Sequence, residues 1–186
     1  RNPVKNLNIS PDCGVTMSGV KGITTTSSII TISGRIDEVA PNTFVTDTIS
    51  LALNPLDREA FVVYAVQSDI SPPDLIAGTN TGVTMTLSTT ARASTGGLND
   101  SNVFHQHILQ IRSDPASSVS FSQSGPDSAS TALPYLAIIA TDNFHVQLEG
   151  FNNGNVNQGQ FKVYGQRVRL ESSQYAALVQ SELLSI

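Results

Sequence analysis

Apolar residues recur at every second position through much of this chain, and small hydroxyl residues occupy many of the positions between them. Between residues 30 and 36 isoleucines alternate with Thr, Ser and Arg, and between residues 83 and 87 Val, Met and Leu alternate with Thr. Successive side chains of a β-strand point to opposite faces, so a period of two is typical of a strand with one buried face. The pattern predicts a chain built almost entirely of strands.

The composition suits sheet surfaces and supplies few catalytic groups. The 186 residues include 23 Ser and 17 Thr, but only 3 Lys, 3 His, 1 Cys and no Trp. A hydrophobic content of 39% suffices for one buried core, and the length fits one domain. No apolar run approaches the length of a membrane-spanning helix, so we expect no membrane span. Cys13 has no partner for an intrachain disulfide, which favours a reducing compartment over a secreted, disulfide-linked domain.

The strand pattern predicts the fold class. We count eight to ten strands, with no alternation of strands and helices. The segment 61–66 is apolar throughout, which is typical of a central strand covered on both faces, and residues 136–170 predict a three-stranded antiparallel meander. Doubling a sheet protects its edges, so the prediction is an all-β fold, an antiparallel β-sandwich of the jelly-roll type. The positions expected to face its interior are Ile30, Ile32, Leu51, Phe61, Val63, Met85, Ile138, Phe144, Val146 and Val168.

The two ends of the chain differ from its middle. Residues 1–27 are rich in Asn, Gly, Ser and Thr and have weak periodicity, and we interpret them as an N-terminal arm. Residues 28–171 are the predicted β-sandwich domain, and residues 172–186 are a short C-terminal segment with a helical pattern up to residue 184. The chain begins with Arg1 rather than Met, so we expect either that processing removed an upstream segment or that the sequence records an ordered part.

Two histidines are the clearest candidates for chemistry. His105 and His107 lie two positions apart on a predicted strand, so both side chains should leave the same face. With a third ligand such as His145, this spacing suits a zinc site. No Cys or acidic residue nearby in the sequence completes the set, so we expect imidazoles at a surface or interface, and no metal or other cofactor. Buried at an interface, the two residues would form a pH-sensitive patch.

The other polar residues form no catalytic motif. Serine is abundant, but the G-x-S-x-G nucleophile elbow is absent, as are the P-loop, EF-hand and C-x-x-C patterns. The acidic residues are scattered singly and do not indicate the paired carboxylates of a glycosidase. We therefore expect no catalytic residues and no enzymatic activity.

Charge and aromatic content argue against nucleic-acid and carbohydrate binding. The formal net charge is −5, and the densest basic group is Arg167 with Arg169, which share one face of a predicted strand. A nucleic-acid surface needs clustered Lys and Arg, so we interpret this pair as a solvated strand face and expect no strong nucleic-acid binding. Without Trp, the residual candidates for stacking a sugar are Tyr164 and Tyr175, for which packing within the protein is the favoured interpretation.

The strand count and the composition of residues 28–170 resemble those of single jelly-roll capsid proteins of viruses. Lysine is depleted in protein interfaces, so a chain with three lysines can present much of its surface to neighbours. The resemblance implies a structural, self-assembling shell subunit of a virion, which contacts copies of itself and other shell proteins and has no catalytic residues. Many capsid proteins of small-genome viruses carry a basic arm, whereas residues 1–20 here contain only two basic residues, Arg1 and Lys5.

Two other classes of protein remain open. A surface filament or pilin-like subunit at a cell surface would use residues 1–27 to complete the sheet of a neighbour by strand exchange. A carbohydrate-binding or adhesin-like β-sandwich module would act alone at a virion or cell surface. Imaging of the native assembly separates the three classes, because it would show a closed shell, a fibre or an isolated monomer.

Overall fold

The computed structural model describes residues 22–129 and 133–184, which form two five-stranded sheets and one helix. Cys13 and the basic residues Arg1 and Lys5 lie outside the described residues. The elements are β1 (Ile23–Thr25), β2 (Ile30–Asp37), β3 (Val45–Ser50), β4 (Glu59–Ile70), β5 (Thr81–Ser88), β6 (Val103–Ser113), β7 (Ser118–Gly125), β8 (Ala137–Ile139), β9 (Asn143–Phe151), β10 (Gln158–Leu170) and α1 (Ser172–Leu184), with a 3-10 turn at Pro55–Asp57.

The chain passes repeatedly from one sheet to the other. The first sheet has the order β1–β10–β4–β8, with β2 pairing along the same edge of β10 as β1, and the second has the order β3–β9–β5–β6–β7. Apart from β1 and β7, the strands β2–β10–β4–β8 face β3–β9–β5–β6, which is the strand order of an eight-stranded jelly roll. The predicted all-β jelly-roll sandwich is therefore confirmed, and the ten strands described fall within the predicted number.

Apolar side chains from both sheets fill the space between them. Phe104, Phe144 and Phe161 cross this core edge to face, with ring centroids 6.1 Å apart in each successive pair. Phe61 and Met85 have no exposed surface. The interior is a packed core, so a partner would have to bind on the outer surfaces.

Helix α1 covers part of the outer face of the first sheet. Its residues Tyr175 and Leu178 pack on a second apolar cluster that includes Val62 of β4 and Leu170 of β10. The helix is also held through Glu182, whose carboxylate accepts hydrogen bonds from the backbone N–H groups of residues 140 (3.0 Å) and 141 (2.9 Å). Burial raises the pKa of Glu182. In the described residues no helix is long and apolar enough to cross a membrane.

Two details of the predicted sandwich are wrong. Strands β8 and β10 belong to the first sheet and β9 to the second, so residues 136–170 are not a meander. Alternation is a local property of a strand and does not reveal which sheet receives the next one. Ile138 and Val168, expected inside, lie in or against the outer cluster, because the first sheet buries apolar residues on both faces. The neighbouring Ile139 faces the interior instead.

The first sheet begins before Ser28. Strand β1 pairs with residues 168–170 of β10, and Ile23 is buried, although these residues fall within the predicted arm. Residues 1–21 lie outside the described residues. The division into an arm, a sandwich domain and a C-terminal segment therefore stays a prediction.

Phe61 provides a test of the core. We expect Phe61→Ala to lower the free energy of unfolding by about 3–5 kcal/mol, because it removes apolar contacts and leaves a cavity between the sheets. Chemical denaturation measures the loss. Leu56→Ala is the control, since Leu56 is 92% exposed, and its effect should stay within about 0.5 kcal/mol. Equal losses at the two sites would contradict the described core.

Candidate assembly surface and histidine cluster

His105 and His107 leave the same face of β6 and meet Ser68 of β4, in the opposite sheet. Ser68 Oγ lies 2.7 Å from His105 Nε2 and 3.0 Å from His107 Nδ1. His105 Nδ1 lies 3.1 Å from the carbonyl oxygen of Pro126, and the His105 side chain has no exposed surface. These residues, Ser68, His105 and His107, form what we call the histidine clamp, because they join the two sheets by hydrogen bonds.

The partners of the histidine clamp fix its proton positions. The carbonyl of Pro126 can only accept, so His105 carries its proton on Nδ1 and offers Nε2 as an acceptor. The Ser68 hydroxyl then donates to His105 Nε2 and accepts from His107 Nδ1–H. With both imidazoles neutral, every donor in this chain of hydrogen bonds has an acceptor.

Burial keeps the clamp neutral, because it lowers the pKa of both His105 and His107. For His105 the Pro126 carbonyl and the Asp127 carboxylate oppose this shift, and for His107 the carboxylates of Asp127 and Asp69 oppose it. A charge on His107 would in turn disfavour a charge on His105. The clamp is therefore stable when both imidazoles are uncharged, and their protonation in acid destabilises it.

The zinc site that His145 would complete is not formed. His145 belongs to β9 and lies on the outer face of the second sheet, where its Nδ1 is 3.1 Å from Thr48 Oγ1. His105 and His107 point to the inner face of the same sheet. Within residues 22–129 and 133–184, no group of three or more His, Cys, Asp or Glu side chains is close enough to hold a metal ion.

Together with the neighbouring Asp127, the clamp has the residue types of a hydrolase triad, but the geometry differs from that of a triad. In a triad the carboxylate receives the hydrogen bond of His Nδ1 and frees Nε2 to activate the serine. Here the Pro126 carbonyl occupies Nδ1, and Asp127 Oδ1 is 3.9 Å away, beyond hydrogen-bond distance. A second imidazole, that of His107, also binds the Ser68 hydroxyl. The arrangement suits a structural link better than a nucleophile.

The spacing of the two histidines correctly predicted their common face but gave no indication of Ser68. Ser68 lies 37 residues from His105 in the sequence and on the other sheet. Its inward direction depends on a bulge in β4, because the register with β10 shifts between Tyr164 and Gly165. A one-residue shift reverses which side chains face the core. No local pattern in the sequence signals this shift.

Arg167 and Arg169 bind the protein's own chain. Arg167 donates to the carbonyl oxygen of Leu51 at 2.9 Å, and Arg169 lies 3.8 Å from a carboxylate oxygen of Asp57. Both therefore hold the connection between β3 and β4 against the end of β10. Arg167 is half-buried, so the expected solvated face applies to Arg169 alone.

The two candidate tyrosines also have partners within the protein. Tyr164 is half-buried on the outer face of the first sheet, and its hydroxyl donates to Gln67 Oε1 at 2.9 Å. Tyr175 packs under α1 against the outer apolar cluster. Both side chains therefore have contacts within the protein.

Three loops meet at one end of the sandwich, and we call them the loop platform: residues 38–44, 71–80 and 152–157. The buried carboxylate of Glu38 accepts from Gly150 N (2.7 Å) and from both Asn157 N and Asn157 Nδ2 (2.8 Å each). Asn42 exchanges two hydrogen bonds with the backbone of Asn153. These bonds join the first and third loops at positions far apart in the sequence.

The middle loop of the platform is tied in through Asp74. Its carboxylate accepts from the backbone N–H groups of Gly154 (2.8 Å) and Asn155 (2.9 Å), and its own N–H donates to Asn153 Oδ1 at 2.9 Å. Hydrogen bonds from the Asn155 side chain and the Gly154 backbone lower the pKa of Asp74. The loops are thus linked by a continuous polar network.

This network displays apolar side chains outward. Val39 is 83% exposed, Leu75 67% and Val156 55%, with one of them on each loop of the platform. Single exposed apolar residues are ordinary on a protein surface, but these three lie on loops that hydrogen bonds link together, which makes the platform a candidate contact surface. The sequence pattern gives no indication of the platform, because its loops are separated by dozens of residues.

Similarity to known proteins is found among solved structures. No protein-family model and no curated protein matches the chain. Among solved structures, chimpanzee polyomavirus VP1 is similar at 8% identity and a TM-score of 0.42, covering 82% of this chain and 99% of that one. VP1 of trichodysplasia spinulosa-associated polyomavirus is similar at 8% identity and a TM-score of 0.42, covering 81% of this chain and 99% of that one. The Desmodium yellow mottle tymovirus structure is similar at 14% identity and a TM-score of 0.28, covering 92% of this chain and 99% of that one.

The predicted resemblance to viral capsid proteins is confirmed at the level of overall architecture. The identities and TM-scores are low, so they say nothing about the role of any residue. The assignment of the jelly roll rests on the strand order of this chain itself.

Glu38 tests the loop platform. We expect Glu38→Gln to lower the free energy of unfolding by about 2 kcal/mol or more, because an amide N–H₂ would face backbone donors that need an acceptor. The neighbouring Asp37 is exposed and pairs with Arg35, so Asp37→Asn is a matched control and should cost about 1 kcal/mol or less. Thermal and denaturant unfolding compare the two variants, and a smaller loss at Glu38 than at Asp37 would contradict the described network.

The histidine clamp predicts a loss of stability in acid. An unfolded histidine titrates near pH 6.5, and the folded pKa values of His105 and His107 are lower. As the pH falls below about 6.5, the unfolded state therefore binds protons that the folded state does not. Stability should decline from there until the lowered folded pKa values are reached, by up to about 1.4 kcal/mol per pH unit for each histidine.

Unfolding free energies between pH 7.5 and 5, with the imidazole titration of His105 followed by NMR, measure this effect. The variant His105→Gln should show a shallower decline than the unchanged protein. A His105 imidazole that titrates at or above pH 6.5 would be incompatible with a buried neutral clamp.

Proposed function

We propose that this chain is a structural subunit of a self-assembling protein shell, a viral capsid, in which copies of the chain contact one another. The observation that carries the proposal is the loop platform. Three separate loops are linked by buried and charged hydrogen bonds, yet each presents an exposed apolar residue at one end of the sandwich. A surface that is both anchored and apolar is suited to a lasting contact with another protein.

The fold supports this function. Jelly rolls occur in viral capsid proteins, in lectins and in cupins. Apolar side chains fill the space between the sheets, which favours a role on the outside of the fold over one in its interior. Both tyrosine candidates for sugar stacking contact other residues of the protein, which favours the shell subunit over the carbohydrate-binding module.

The composition supports it too. The chain is rich in Ser and Thr and has only 3 Lys, and Lys is among the side chains that lose the most rotamer entropy when a neighbour covers them. We propose a virion as its location and other copies, with other shell proteins, as its partners. Arg167 and Arg169 bind the chain's own backbone and carboxylates, which supports weak, salt-sensitive nucleic-acid binding at most. The closed geometry of the histidine clamp supports a non-enzymatic role.

The test combines imaging with a variant of the platform. We expect electron microscopy of the purified chain, across a range of ionic strengths, to show closed particles. Replacing Val39, Leu75 and Val156 together by Ser should raise the concentration needed for assembly by about tenfold or more, which corresponds to 1.4 kcal/mol. The melting temperature of the subunit should stay nearly unchanged, because these side chains are exposed.

Leu56→Ser is the matched control, because Leu56 is also apolar and exposed but lies in the 3-10 turn between β3 and β4. It should assemble like the unchanged protein. Fibres in place of particles would favour the filament subunit, and a monomer under all conditions would favour the isolated binding module. Either result would overturn the proposed shell.

A further inference from the structure

Strand β7 is an open edge of the second sheet. It pairs with β6 and with no other strand of the described chain. All its residues from 118 to 124 are exposed, and Val119 and Phe121 are 56% and 52% exposed. Its outer row of backbone N–H and C=O groups is therefore available to a further strand.

The other edges of the two sheets carry features that discourage strand addition. Strand β8 is three residues long, β2 carries the exposed pair Arg35 and Asp37, and β3 carries the exposed Asp47. Short edges and charged edges are the usual protections against unwanted pairing. Strand β7, with the sequence SVSFSQSG, is eight residues long and has no charged residue. It lacks the protection that the other three edges have.

The side chains of β7 are divided between two faces. Ser122 pairs with Leu109, which packs on the core, so the serines at 118, 120, 122 and 124 lie on the inner face. Val119, Phe121 and Gln123 lie on the outer face, where the guanidinium of Arg112 is 5.6 Å from the centre of the Phe121 ring. This contact gives the ring a preferred position and leaves half of it exposed.

A second copy of this chain fits the edge by charge. Each copy carries a net charge of −5, so two copies repel each other over most of their surface. Contact is least costly where acidic side chains are few, and β7 itself has no charged residue, with the cationic Arg112 of β6 beside its Phe121. An uncharged strand that alternates small hydroxyl and apolar side chains is also its own complement, because each face meets the same face of the partner.

One antiparallel register gives each residue from 118 to 124 of β7 a compatible partner in the second copy. If two β7 strands pair antiparallel about a two-fold axis at Phe121, the Phe121 residues lie opposite each other, and Val119 lies opposite Gln123 of the other copy. The serines then pair among themselves, 120 with 122 and 118 with 124. Aromatic pairs and serine pairs directly opposite each other stabilise antiparallel strands.

We propose that β7 pairs with β7 of a second copy in this register and joins the two second sheets into one continuous sheet. The proposal rests on the proposed self-assembly and names one of its interfaces, a two-fold contact distinct from the loop platform. The exposed edge and the uncharged, self-complementary strand carry it.

Disulfide trapping tests the register. Directly opposite residues of antiparallel strands have Cα atoms about 4.5–5.5 Å apart, within the range that a disulfide spans. In full-length protein with Cys13→Ser, we expect Phe121→Cys to form a covalent dimer under mild oxidation. Leu56→Cys in the same background, at a site 92% exposed, is the control and should cross-link slowly. Equal rates for the two variants would overturn the pairing.

Charge exchange at the axis is a second test. Phe121→Lys and Phe121→Asp each place like charges opposite each other, so each should weaken the dimer by about tenfold or more in dissociation constant. A mixture of the two variants places opposite charges there and should restore pairing, as measured by analytical ultracentrifugation. Because Phe121 is exposed, both variants should keep the circular dichroism of the unchanged protein. A mixture no tighter than either variant alone would contradict the proposal.

The two proposals fail in different ways. Closed particles without cross-linking at residue 121 would overturn the β7 pair and leave the proposed shell intact. A cross-linked dimer that never forms particles would do the opposite. Oligomers that are lost on removal of residues 1–20, with no cross-linking at residue 121, would show that the edge contact belongs to a donated N-terminal strand, and the β7 pair would be wrong.

Discussion

The structure depends on one extra residue in β4. Opposite the step from Tyr164 to Gly165 of β10, Tyr64 is an extra residue on β4, and the register shifts by one. Before the bulge, Phe61 and Val63 face the core, and after it the inward positions become Val66, Ser68 and Ile70. Without the shift, Gln67 and Asp69 would point into the sandwich and leave buried polar groups without partners. Because of the bulge, one long strand contributes side chains to the core, to the apolar cluster under α1 and to the histidine clamp.

Burial of the first sheet on both faces decides which surfaces remain for contacts. Helix α1 covers the half of the outer face around Val62 and Leu170, and Glu182 holds it there through two backbone hydrogen bonds. The second sheet is covered in part by the 89–102 segment, which bonds to its outer face through Thr95 and Gly96 and beneath which Gln147 is fully buried. Its β7 edge is exposed, as are apolar residues on the loops at the end of the sandwich. Exposed apolar side chains are present both on the loop platform and on β7.

The sequence predicted what depends on neighbouring residues and missed what depends on the pairing of distant ones. Alternation identified the strands, and the apolar run at 61–66 correctly indicated a strand covered on both sides. The same alternation did not distinguish the core from the layer under α1, so Val168 was placed on the wrong face. His105 and His107 were paired by their spacing, whereas Ser68 depends on the bulge, and His145 was separated from them by the opposite orientation of its side chain. The loop platform depends on contacts between three loops that are far apart in the sequence, and the spacing of residues does not predict such contacts.

The loop platform and the β7 edge offer two different kinds of contact at different places on the subunit. A two-fold contact uses the same patch on both copies, so it is complete in a dimer and cannot by itself extend further. Closing a shell requires a second, different contact that repeats around another axis, and the platform lies at an end of the sandwich rather than along its edge. The two surfaces are also joined within the subunit, because the N–H of Ser113, at the start of the turn into β7, donates to Asn80 Oδ1 in the 71–80 loop at 3.0 Å. A chain with an edge suited to pairing and an end suited to packing would have the two kinds of contact that a closed particle needs.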